Sequence, residues 1–102
     1  MEEKKTGKVI VLFEVTIKDG KKDDYLKRAE ILKAHLKNMK GFISAERFQS
    51  LASEKKLLSM TVWENEESVQ IWRNLSEHRE SQLAGRMEDF EDYEITLVTP
   101  IW

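Results

Sequence analysis

The sequence predicts an α+β sandwich of element order βαββαβ. Three observations carry that reading. Short runs rich in β-branched and aromatic residues recur four times along the chain. Two longer segments between them place apolar residues at helical spacings of three and four. Asp-Gly, Gly and capping polar residues stand at the joints.

The first run, "KVIVLFEVTIK" from Lys8 to Lys18, reads as a strand that Asp19-Gly20 ends. Asp23 or Asp24 then caps a helix running to about Lys40, with Tyr25, Ala29, Leu32, Leu36 and Met39 on one face. Gly41 stops it, and Phe42 to Ser50 forms a second strand. "LASEKK" is a polar turn, and "LLSMTVWE", Leu57 to Glu64, is a third strand. Asn65 caps a second helix, with acidic residues in its first turn. That helix is expected from Glu66 to about Asn74, with a restart capped by Ser76 that continues to about Phe90. Glu91 to Trp102 is the last strand.

This order predicts a ferredoxin-like sandwich, one four-stranded antiparallel sheet with both helices on one face. Strands one and three, the most apolar, belong in the middle. Strand two, with Glu46, Arg47 and Gln49, and strand four, with Glu94 and Pro100, suit the edges. On strand one, Val9, Val11, Phe13, Val15 and Ile17 point one way; Ile10 and Leu12 point the other, with Glu14 and Thr16 beyond them. On strand three, Leu58, Met60 and Val62 oppose Leu57 and Trp63. Strands apolar on both faces are usually covered on both. Two helices cover one, so a second copy is expected to cover the other, pairing the sheets face to face into a dimeric α/β barrel.

At 102 residues the chain is long enough for one domain, expected over 8–102 behind a flexible N-terminal segment, 1–7. Its 17 basic and 19 acidic residues are interspersed, which points away from nucleic acid. The longest apolar run, Val9 to Phe13, is far too short for a membrane span, and no secretory signal is evident. There is no cysteine, hence no disulfide or thiolate chemistry, and a cytoplasmic address is expected.

The segments "IWRNLSEH" (71–78), "SQLAGRMEDF" (81–90) and "YEITLV" (93–98), following Trp63 at the close of strand three, resemble the antibiotic biosynthesis monooxygenase family. Trp-x5-His followed by Gln-x-x-Gly-Arg and a strand beginning near Tyr is the informative combination. The resemblance spans roughly residues 8 to 100. It implies a small dimeric α/β-barrel protein that holds its ligand between sheet and helices. Some family members oxidise fused-ring phenols with molecular oxygen, without metal or organic cofactor, so no cofactor is expected here. The deprotonated substrate supplies the electrons.

Such chemistry needs a base, an aromatic cradle and a cation or donor for the developing oxyanion. His78 suits the base, Trp72 the cradle and N–H donor, and Arg86 the anion's partner. Phe13, Tyr25, Gln82 and Trp63 are the expected substrate-binding residues. Each has a structural alternative. Trp72 and Trp63 can anchor the core, and His78 can be a solvated helix-start residue. Arg86 can pair with Glu88, Asp89 or Asp92. The acidic run Glu88 to Glu94 lacks the spacing of a calcium loop, and no metal is expected. Haem-degrading relatives use an asparagine on strand one; Phe13 stands there, and the six-residue step from Trp72 to His78 is shorter than their pattern. A cofactor-independent monooxygenase acting on a small aromatic or quinone-like compound and a non-catalytic dimeric small-molecule-binding module are the two main readings. Haem degradation ranks below both.

Overall fold

A computed structural model of the chain describes residues 8–82 and 90–101, with side chains described over 8–75 and 91–101. The order is β1 (Val9–Ile17), α1 (Lys22–Leu36), β2 (Phe42–Gln49), β3 (Lys56–Trp63), α2 (Glu66–Gln82) and β4 (Phe90–Val98). The strands form one antiparallel sheet in the order β2-β3-β1-β4. The two apolar strands are therefore central and the two polar ones are edges, as their composition requires.

The joints show local chemistry at work. Gly20 and Gly41 both adopt left-handed backbone angles, φ 76° and 86°; Gly20 follows the first strand and Gly41 leads into β2, while α1 itself ends at Leu36, short of the expected Lys40. Asn65 caps α2: its Oδ1 accepts from the Ser68 amide at 2.8 Å, with Glu66 and Glu67 in the first turn. Gln49 organises the β2–β3 turn, its Nε2 reaching the carbonyls of Ser53 at 2.9 Å and Lys56 at 3.1 Å. Lys22 Nζ donates to Gln49 Oε1 at 2.7 Å and ties the start of α1 to that end of the sheet.

Three further expectations are corrected. No aspartate caps α1; Lys21 holds the N-cap position without a side-chain bond, and Asp23 and Asp24 lie in the first turn, where they face the helix dipole instead. The second helix does not break at Ser76 but runs unbroken to Gln82, because no Gly or Pro interrupts Glu66–Gln82 and a serine is tolerated within a helix. Phe90 is the first residue of β4, paired with Ile17, rather than the end of a helix.

The register confirms the two faces of the sheet. Val9, Val11, Phe13 and Val15 pair with Trp63, Thr61, Ser59 and Leu57. Both helices cover this side: Leu36 of α1 and Val69 of α2 are buried in one cluster with Val9 and Trp63, and Tyr25 and Leu26 of α1 pack on Val15, Ile17 and Leu57. On the reverse side Ile10, Leu12, Leu58, Met60 and Val62 are only half-buried, and Phe48 is exposed.

Candidate functional site

The helix-covered face carries two buried clusters, one towards each end. At one end Trp63 is wholly buried. Its ring meets Phe42 edge-on at 5.5 Å and Trp72 at 6.3 Å, and its Nε1 donates to Thr61 Oγ1 at 2.9 Å. At the other end Val15, Ile17 and Leu57 are buried as a separate cluster. The two clusters share no buried residue. Between them the inward residues of β3 are Ser59 and Thr61, small and hydroxylated where Leu or Val would fill the space. Their neighbours across the sheet are Arg47 and Ala45 on β2, and Phe13 and Val11 on β1. Beyond β1 the same rows continue to Ile95 and Leu97, which are 49% and 42% exposed although they face the helix side.

The middle rows of this face thus have a polar and an apolar half. Ala45, Arg47, Ser59 and Thr61 form the polar half, and α1 crosses it between Leu26 and Leu36. Val11, Phe13, Ile95 and Leu97 form the apolar half, with Tyr93 at its rim, 5.7 Å from Phe13 ring to ring. One buried atom stands out. Arg47 Nε is buried and has no hydrogen-bond acceptor among the described residues. Leaving a buried donor unmet costs on the order of 1–3 kcal/mol, more when the group is charged.

The expected site residues distribute unevenly over this frame. Phe13 lies in the middle rows of this face, at the helix-facing position of β1 where haem-degrading relatives are expected to carry asparagine. Tyr25 packs at the Val15–Leu57 end, and Trp63 with Trp72 at the other. The structure therefore does not bring Tyr25 and Trp72 together. Trp72 is half-buried against the Trp63 cluster, which is the packing role open to it in the sequence. His78 and Gln82 lie on the described backbone of α2, but their side chains lie outside the described residues. Because α2 is continuous, the six-residue step from Trp72 to His78 spans about one and two-thirds turns and sets their positions about 120° apart around the helix axis. Arg86 lies outside the described residues altogether. Arg47, Ser59 and Thr61 are not among the expected site residues, although alternation along β2 and β3 marks them as inward polar positions. Among the described residues no group of His, Asp or Glu has the arrangement of a metal site.

A second depression, open and about 330 Å³, lies largely on the helix-free side and is lined by Glu14, Phe48, Lys56 and Leu58 among others. An ion pair crosses it, Lys56 Nζ to Glu14 Oε2 at 3.1 Å. It is shallow and continuous with the uncovered sheet.

One four-stranded antiparallel sheet with two helices on one face is a ferredoxin-like α+β fold. Comparison with known proteins gives the family. The family model for antibiotic biosynthesis monooxygenase matches residues 8–83, and the chain belongs to that family. The match stops short of Arg86 and β4. A jasmonate monooxygenase of Pyricularia oryzae is 35% identical over 85 residues, covering 83% of this chain and 40% of that protein, so the chain spans about two-fifths of that relative's length. Among solved structures, SnoaB, a cofactor-independent oxygenase from Streptomyces nogalater, superposes with a TM-score of 0.79 at 12% identity, over 94% of this chain and 95% of that one. A conserved protein from Methanosarcina mazei reaches a TM-score of 0.81 at 18% identity, over 93% and 94%. At these identities the solved structures establish a shared fold. No helix among the described residues is long and apolar enough to cross a membrane.

Proposed function

We propose that the protein is a cofactor-independent monooxygenase that oxidises a small aromatic or quinone-like compound with molecular oxygen in the cleft between sheet and helices. The observation that carries the proposal is the composition of the helix-covered face: Ser59 and Arg47 lie inward between two buried clusters, and the buried Arg47 Nε has no acceptor among the described residues. Membership of a monooxygenase family, the jasmonate monooxygenase relative and the fold shared with an oxygenase support the reaction class.

The chemistry balances without a cofactor. A base removes a proton from an acidic methylene or phenol, and the resulting carbanion or phenolate passes electrons to oxygen. A carbon–oxygen bond forms, the O–O bond then breaks, and the methylene becomes a carbonyl while the second oxygen atom leaves as water. In this reading His78 takes the proton, Trp72 flanks the ring, and Arg86 holds the developing oxyanion. Phe13 and Gln82 would shape the space around the ring, while Tyr25 and Trp63 hold the packed clusters on either side of it.

The same reading includes a homodimer. Ile10, Leu12, Leu58, Met60 and Val62 lie together on the helix-free face, Phe48 and Val98 beside them are exposed, and a monomer rarely leaves so continuous an apolar surface in water. A second copy laid sheet to sheet would cover it. A cytoplasmic location fits the cysteine-free sequence.

One observation favours a second reading, a dimeric binding module without catalysis: the described lining of the cleft offers donors and apolar walls but no general base. Oxygen uptake separates the two. With an anthrone as substrate, the wild type should consume oxygen, and His78→Ala and Arg86→Ala should each slow it by about a hundredfold or more, the usual weight of a proton-transfer group. Equal rates for all three proteins would remove both residues from the reaction. Saturable binding with no uptake across a panel of phenols and quinols would favour the binding module.

A further inference from the structure

The geometry points to Arg47 as the recognition residue for an organic acid: the ligand of the helix-side cleft carries a carboxylate or similar anionic oxygen, and Arg47 binds it. The inference rests on the reading that this cleft is the ligand site, and it adds the chemical class of what enters.

The register fixes the placement. Ala45, two residues before Arg47 on β2, packs against the buried Val9–Trp63 cluster, and Gln49, two residues after, bonds Lys22 of α1. Arg47 therefore lies on the helix-covered side, paired with Ser59, one row from Thr61. Its buried Nε meets no carboxylate among the described residues, although the chain carries 19 acidic side chains. The neighbouring Glu46 alternates to the opposite face of the sheet. A buried guanidinium N–H without a protein acceptor is uncommon, and arginine is the side chain best shaped to take a carboxylate through two parallel N–H bonds. Ser59 and Thr61 supply hydroxyls on the adjacent strand.

The opposite half of the cleft suits the rest of such a ligand. From Arg47 the row runs through Ser59 and Phe13 to Ile95, crossing all four strands. Three strand spacings amount to about 14 Å, a span that matches a ring system with an acid at one end. Phe13, Val11, Ile95 and Leu97 offer it an apolar wall. A neutral amide of the same shape offers one acceptor oxygen and no charge where a carboxylate offers two oxygens and a charge, so the site should prefer the acid.

Calorimetric titration with 2-naphthylacetate and its amide, which match in ring and length and differ in charge, tests the inference on the full chain. The wild type should prefer the acid at least tenfold. Arg47→Gln should abolish that preference while leaving the amide's affinity within about twofold, and Arg47→Lys should restore part of it. The wild-type measurement stands alone if a variant fails to fold: equal affinity for acid and amide, or binding of neither, overturns the inference. So does an Arg47→Gln protein that keeps the full preference. Oxygen uptake is read separately. A protein that selects acids through Arg47 but consumes no oxygen would refute the monooxygenase reading and leave this one intact.

Discussion

Replacing Gly41 with alanine should destabilise the fold by more than an ordinary surface change, and the terms can be worked out one at a time. Gly41 sits at φ 86°, where an L-residue costs about 1–2 kcal/mol. A Cβ built there would lie 2.6 Å from Ser68 Cβ and closer still to its hydroxyl oxygen. Ser68 is buried in the first turn of α2 and cannot swing aside, and the Gly41 carbonyl is held by the Glu64 amide at 2.8 Å. Overpacking of this kind costs roughly 1–3 kcal/mol. Reduced freedom of the unfolded chain returns roughly 0.4–1 kcal/mol. The net expectation is a loss of about 2–4 kcal/mol, or roughly 8–16 °C in Tm for a chain of this length. Urea unfolding followed by tryptophan fluorescence at fixed protomer concentration measures it. Ser68→Gly removes the obstructing atoms but not the backbone strain. In a double-mutant cycle the pair should therefore couple by about 1–3 kcal/mol. A single-mutant loss below about 0.5 kcal/mol, or a cycle without coupling, would refute the reasoning, because the close approach of β2 to α2 would then not exist.

Three other outcomes are expected. Wild type should sediment at about twice the 12.0 kDa chain mass, and Leu12→Glu, which sets a charge in the middle of the helix-free face, should sediment as a single chain at micromolar concentration; a variant that stays paired would place the interface elsewhere. Trp63→Ala should cost about 3–5 kcal/mol in urea unfolding, since it empties a wholly buried site and leaves Thr61 without its indole partner; a cost under about 2 kcal/mol would contradict the packing described. Asp19 accepts a hydrogen bond from Lys55 Nζ at 2.7 Å and raises the Lys55 pKa above its ordinary 10.5, first through that bond and then through its charge. A raised folded pKa means the contribution is fully present below the unfolded value and is lost as pH climbs through the folded one. The stability gap between wild type and Asp19→Asn should thus be small and constant at neutral pH and close above pH 10.5; a gap that widens there would reverse the sign.

Alternation along the chain is enough to make the sheet readable. Two-sided apolar character puts β1 and β3 in the centre, and polar character puts β2 and β4 at the edges, because only central strands are covered on both faces. Helix ends are harder. Two aspartates, Asp23 and Asp24, stand near the start of α1, and sequence does not tell a cap from a first-turn acid. Ser76 resembles a cap for the same reason, while the favourable neighbours on both sides carry the helix through it. For the site, a linear reading is drawn to large, chemically familiar side chains such as Trp72 and His78. The polar middle of the helix-covered face depends instead on Ser59, Thr61 and Arg47, whose meaning comes from the strands beside them. Seeing it requires the register, and a register is a property of pairs of strands.

The inward side of β3 reads Leu57, Ser59, Thr61, Trp63, and that order joins fold to function. Were the strand built for stability alone, its two central positions, flanked by buried residues at both ends, would gain most from aliphatic side chains. The Thr61 hydroxyl answers the buried Trp63 indole, so packing accounts for it. Ser59 forgoes apolar burial without such a partner being shown, and Arg47 beside it adds a charged group with an unmet N–H, a departure from binary patterning that calls for a local reason. The departure falls on the helix-covered face, while on the reverse face Ile10, Leu12, Leu58, Met60 and Val62 of the two central strands stay apolar between edge strands that carry Ser44, Glu46, Glu94 and Thr96. On the proposed reading the two faces of one sheet separate two tasks, the apolar centre of one meeting another copy of the chain and the part-polar middle of the other meeting a small molecule.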